Sequence, residues 1–215
     1  MSCNPAIGGV AKGQLVREID ALGGLMGTVA DKSGLQFRVL NTSKGPAMWS
    51  PRCQSDRALY SKTMRQELEK KENLHFRQDN VVDVLTTADG KKANGVSTKS
   101  GQGCMADAVS LTTGTFGNGL IHIGETNFGG GRSGERASIG IAAALEDLGC
   151  EVGRLKTGTP PRIDGRSVNY DKLDVQYGEE EPHAFSFMTD FLPTREEQLT
   201  CWIGNTNEEV HDMLR

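Results

Sequence analysis

Apolar and polar positions change places along this chain in short runs, and each run predicts a modest element. The segment from Val10 to about Met26 reads as a helix, entered from the loop Cys3-Asn-Pro-Ala-Ile-Gly-Gly9. Between Arg52 and Asn73, Tyr60, Met64 and Leu68 recur at the spacing of one helical stripe. Asn73–Arg77 and Val81–Leu85 read as short strands, Ala88-Asp-Gly-Lys91 as a turn, and Gly95–Thr98 as a further strand. Ala106–Thr112 reads as a strand running into Thr113-Gly114. Arg136–Leu148 reads as a helix with Ile141, Leu145 and Leu148 on one face and Gly149 as its C′ residue. Val152–Leu155 is a last strand candidate, and the whole alternation predicts an α/β fold. From Thr157 the periods give way to prolines, acidic residues and isolated aromatics, with Glu179-Glu-Glu181 reading as a solvated turn. The expected organisation is therefore one domain over residues 1–156 and the start of an inserted or second domain over 157–215.

Composition narrows this reading. A chain of 215 residues can bury a real core, and its 27 glycines sit in short motifs that favour sharp turns. The formal net charge of −4 gives no bulk attraction to nucleic acid, so any RNA contact must come from a local basic patch. No apolar run is long enough to span a membrane, no signal peptide opens the chain, and the expected compartment is the cytoplasm or a mitochondrial matrix. Five cysteines without a C-x-x-C pair predict no disulfide framework, and the four histidines predict no metal site.

Several residues carry candidate chemistry, each beside a plainer role. Cys3 precedes a glycine-rich helix entry, where positive backbone potential favours a thiolate; on spacing alone the commoner role of a free cysteine, a small buried apolar residue, comes first. Asn4, Gly8 and Gly9 let backbone approach a planar ligand, or simply start a helix. Thr113, Gly114 and Thr115 end a strand with small residues that admit a cofactor, or form an ordinary turn. Gly130–Glu135 could hold an anion, but the glycine string Gly129–Gly134 follows no predicted strand and is weak as a phosphate loop. Arg154, Lys156, Arg162 and Arg166 form the densest basic cluster, suited to RNA phosphates or to a solvated face.

The stretch Ser2-Cys-Asn-Pro-Ala-Ile-Gly-Gly9 resembles a signature segment of the glucose-inhibited division protein A family. Asn41–Ala47, Leu111–Phe116, Gly130–Glu135 and the long Gly153–Asp164 segment resemble further family stretches in the same order. The resemblance implies a flavin-dependent enzyme that installs a carboxymethylaminomethyl-type group on C5 of the tRNA wobble uridine. It implies an FAD site in an incomplete Rossmann-like domain, whose first strand and glycine loop are expected before Met1. Cys3 then acts on the uracil ring as acid or nucleophile, while Val81 and Ser138 match flavin-contacting positions. NADH as reductant, methylenetetrahydrofolate as donor, a GTPase partner and a homodimer are implied for the complete protein. A chain lacking the glycine loop is expected to bind FAD weakly and to be inactive alone. The rival readings are a small-molecule FAD oxidoreductase and a non-catalytic RNA-binding module.

Overall fold

A computed structural model describes residues 4–132, 134–158, 160 and 162–214. Chain order is β1 (Ala6–Gly8), α1 (Gly13–Ala21), α2 (Met26–Lys32), β2 (Gly34–Leu40), β3 (Ser50–Ser55) and α3 (Arg57–Glu69). Then come β4 (Val81–Thr86), β5 (Ala93–Thr98), β6 (Gly103–Met105), β7 (Leu120–Ile123), β8 (Thr126–Gly129) and α4 (Ile141–Asp147). The chain ends in β9 (Asp174–Gln176), β10 (Cys201–Ile203) and α5 (Glu208–Leu214). Packing groups these elements into two compact units, one of residues 4–74 with 160–214 and one of residues 75–158. The expected boundary near residue 156 falls close to the chain's return, but residues 160–214 close on the first 74 and form no unit of their own.

The first unit is built on an antiparallel sheet of order β1-β3-β2. Its core joins Ile7 on β1, Val16 on α1, Ala30 on α2, Phe37 on β2 and Cys53 on β3 to Phe185 from the return. Gly8 lies inside this packing at φ +79°, where a Cβ would stand 2.2 Å from the Pro51 carbonyl oxygen and 2.7 Å from the Phe185 ring. Only glycine combines that backbone angle with that closeness. The return also covers the free edge of β2. Glu179 N donates to Phe37 O at 3.0 Å and Leu199 N to Leu35 O at 2.8 Å. Buried Gln198 accepts from Phe37 N through Oε1 at 2.8 Å. An edge so covered cannot recruit another strand. Glu179 is therefore more than part of a solvated turn, since its carboxylate also accepts from Val39 N.

Buried Asp31 fixes the return to the helices. Its carboxylate accepts from Phe185 N at 2.9 Å, Ser186 N at 2.9 Å and Thr189 Oγ1 at 2.7 Å. Asp20 accepts from Phe187 N at 2.9 Å, and the Arg17 guanidinium donates to Ala184 O at 2.9 Å. Burial pushes the Cys53 thiol up to about 12, despite the Ser55 hydroxyl that favours its thiolate.

In the second unit, β4, β5 and β6 form an antiparallel meander, β7 and β8 form a hairpin, and α4 packs on β4. Val84, Ile141 and Ala144 are its buried apolar residues. Gly140, at φ +113°, permits this approach: a Cβ there would stand 2.8 Å from Val82 O. All named strand pairs among the described residues are antiparallel, and the parallel pairing is an isolated bridge between Gly117 and Ser138.

Several elements differ from the sequence expectation for identifiable reasons. The expected helix over Val10–Met26 is two helices, α1 and α2, parted at Gly23-Gly24. The start of the Arg52–Asn73 helix is instead strand β3, and α3 begins after Asp56, whose carboxylate caps Ala58 N and Leu59 N. Residues 73–77, 106–112 and 152–155 form no strand, having no ladder partner among the described residues. Helix α4 is shorter than expected but ends as expected, with Gly149 beyond it at φ +83°. The glycine string Gly129–Gly134 does follow a strand, β8, but α4 starts only at Ile141, so no helix N-terminus faces it.

Candidate functional site

The second unit holds a cleft of about 510 Å³. Three separate chain segments supply its walls. Val81 comes from the start of β4, Thr112 and Thr113 from the irregular segment after β6, and Ser138 from the approach to α4. Val96, Leu111 and Ile141 add apolar surface, and Cys104 lies at the wall with the Arg77 guanidinium 3.2 Å from its sulfur. Ser138 is held in place by its backbone, donating to Phe116 O at 3.1 Å and accepting from Asn118 N at 2.8 Å. The hydroxyls of Ser110, Thr112, Thr113 and Ser138 have no partner among the described residues, which leaves them for a ligand. Asp79 stands at the same cleft, its carboxyl held below the usual range by hydrogen bonds from Ser100 and then Thr98. It is anionic at neutral pH and disfavours a phosphate beside it.

This surface has an apolar wall, free hydroxyls and one carboxylate acceptor. Such a mixture suits an uncharged planar ring with a polyhydroxyl substituent, and the volume is that of small-molecule sites. It therefore fits the adenosine end of FAD. Val81, Thr113 and Ser138, each singled out from the sequence, line this one cleft. Gly114, at φ +70°, and exposed Thr115 follow directly in the chain but are not among its lining residues.

Asn4, Gly8 and Gly9 belong to the other unit. Asn4 is exposed, and its carbonyl accepts from Ala6 N at 2.8 Å. Asn4 caps no helix, because β1 intervenes before α1 and Lys12 occupies the cap position. Gly8 faces Pro51 and Phe185 of its own chain. Gly9 is more open, with its N–H on Pro51 O at 2.8 Å. Cys3 lies outside the described residues.

The four cations expected at RNA are divided between the units, with Arg154 and Lys156 in one and Arg162 and Arg166 in the other. Arg166 is held by the Asp164 carboxylate at 2.7 Å, which offsets its charge. Arg162 donates to Pro160 O at 3.3 Å. Arg154 donates to Asn118 O at 3.3 Å and lines a second cleft of about 480 Å³. Lys99 and Arg136 also line that cleft, and the sequence offered no pattern that joins them to Arg154. Their grouping depends on Gly140, whose positive φ lets the segment before α4 approach β4.

The fold defines an α/β protein of the kind seen in Aquifex aeolicus GidA. The form I crystal structure of that protein superposes with a TM-score of 0.85 at 45% identity, over 94% of this chain and 34% of that one. The form II structure gives a TM-score of 0.84 over the same shares. The chain belongs to the family described as glucose inhibited division protein A, whose profile matches residues 1–215. Relatives named tRNA uridine 5-carboxymethylaminomethyl modification enzyme MnmG share this sequence along its full length. The one from Salinibacter ruber is 57% identical over 215 residues, which is 32% of its own length. Those from Christiangramia forsetii and Geobacter sulfurreducens are 52% and 50% identical, each covered to 34%. The chain thus spans about a third of the length of the relatives it matches. No described helix is long and apolar enough to cross a membrane.

Proposed function

We propose that this chain is the part of a tRNA wobble-uridine modification enzyme that holds the adenosine end of FAD. The observation that carries the proposal is the convergence of Val81, Thr113 and Ser138 on one cleft. Backbone at the start of β4 and the free hydroxyls of Thr112, Thr113 and Ser138 would hold the nucleoside, and Asp79 would accept from it. When bound, FAD supplies the redox chemistry that places a one-carbon unit from methylenetetrahydrofolate on C5 of the uridine, with NADH as reductant. Cys3 is assigned to the uracil ring, as nucleophile at C6 or as proton donor. Family membership is the support for these assignments, and for a GTPase partner, a homodimer and a cytoplasmic setting of the complete enzyme.

The test is a titration of the chain with AMP and with FAD, beside Thr113→Trp. Thr113 is exposed, so an indole there fills the cleft without touching a core. The expected result is AMP-competable FAD binding, weak in this chain, that falls at least tenfold in Thr113→Trp. Equal affinity in both proteins would remove the cleft from FAD binding.

A further inference from the structure

The second cleft lies on the opposite side of the same chain segments. Val81 and Ser138 line the first cleft, while their neighbours Val82, Ala137 and Ile139 line the second. This is the alternation expected of extended backbone. Asn80 borders both clefts. The two walls differ in charge. The first includes Asp79, whereas the second carries Lys99, Arg136 and Arg154 and no acidic residue.

None of these three cations joins an ion pair among the described residues. Like charges gathered at one cleft repel, and an anion arriving there relieves the repulsion. Arg154 is aimed by its bond to the Asn118 carbonyl. Exposed Lys156 stands two residues beyond it in backbone that is neither helix nor strand, and it too is in no ion pair among the described residues. Positive charge therefore continues past the cleft along the chain. A strand carrying several phosphates uses such a track, whereas a lone pyrophosphate is satisfied inside the cleft.

We infer that the cleft of Lys99, Arg136 and Arg154 is a phosphate site for an RNA strand, with Lys156 extending it. The inference rests on the tRNA reading given above and adds Lys99 and Arg136 as positioning contacts for that substrate. They grip backbone phosphates and read no base. Because the site is on the face opposite the nucleoside cleft, RNA phosphates bound there do not displace a nucleoside from that cleft.

The experiment measures binding of a fluorescein-labelled anticodon stem-loop RNA to the chain over a range of salt, with wild type beside Lys99→Gln/Arg136→Gln. Both side chains belong to exposed residues, so the fold should survive, and AMP binding at the other cleft reports that it does. The double variant is expected to bind RNA at least tenfold more weakly. Its log-affinity against log-salt slope should be shallower by about 1.4–1.8 if two phosphate contacts are lost. Lys99→Arg should restore most of the first contact. Unchanged affinity and slope would overturn the inference while leaving the tRNA reading intact. Binding of inorganic pyrophosphate that is lost in the double variant while RNA binding stays the same would overturn it too, in favour of a small anion. Absence of RNA binding by the wild-type chain would count against the tRNA reading itself.

Discussion

Asp31→Ala should loosen the whole return of the chain. Asp31 is 6% exposed, and its carboxylate is the acceptor for Phe185 N, Ser186 N and Thr189 Oγ1. Phe185 and Ser186 are 1% and 3% exposed, so neither amide can turn to water without opening the packing. A buried donor left without a partner costs about 1–3 kcal/mol. The two amides together therefore cost roughly 2–6 kcal/mol, with relaxation favouring the lower part of that range. The Thr189 hydroxyl is only part-buried and can find solvent, so it adds little. For a chain of this size the loss corresponds to a fall in melting temperature of roughly 4–24 °C. Asp31→Asn should cost about half as much, since one oxygen still accepts while the amide nitrogen opposes a second donor. Urea unfolding followed by Trp49 and Trp202, both in the first unit, reads the loss. Amide exchange at Phe185 and Ser186 locates it. A loss below about 1 kcal/mol, with both amides still protected, would refute the clamp.

Four further outcomes are expected. Gly8→Ala should destabilise by about 2–4 kcal/mol, from its positive φ and overpacking against Pro51 and Phe185, as measured by thermal unfolding. Cys53 should resist a thiol reagent at pH 8 while Cys104, Cys150 and Cys201, which are at least partly exposed, react; burial pushes its thiol from an ordinary 9.0 up to about 12, so the native thiol keeps its proton where the unfolded one loses it. Stability should consequently fall between pH 9.0 and about 12, and Cys53→Ala should flatten that fall relative to wild type. Cys3→Ser in the complete enzyme should abolish uridine modification and leave FAD bound, as read by nucleoside analysis of the tRNA beside flavin absorbance; retained modification would take Cys3 out of the reaction.

Local pattern was enough for the elements whose partners are near in sequence. The stripe Tyr60, Met64 and Leu68 does lie half-buried along one face of α3, and Gly149 does close α4. Strand β3 was hidden because Ser-Pro-Arg-Cys-Gln-Ser has no apolar alternation. It is a strand through tertiary pairing, with β1 on one side and β2 on the other. Residues 160–214 read as a separate domain because their texture changes. The groups that tie them down, such as Asp31 to Phe185 and Phe37 to Gln198, lie more than 150 residues apart in the chain. The cleft was partly legible: Val81 and Ser138 could be named through family resemblance and Thr113 from the small residues that end its run, but not their shared wall. That wall depends on Gly140 bringing one segment to β4, a contact that no spacing rule announces.

The most direct measurement is photolabelling of the chain with 2-azido-AMP, followed by mapping of the labelled peptides. Label is expected on peptides that contain Val81, the Cys104–Thr113 segment or Ser138, suppressed by excess FAD. Label confined to peptides from residues 4–74 or 160–214, or label that FAD does not suppress, would contradict it.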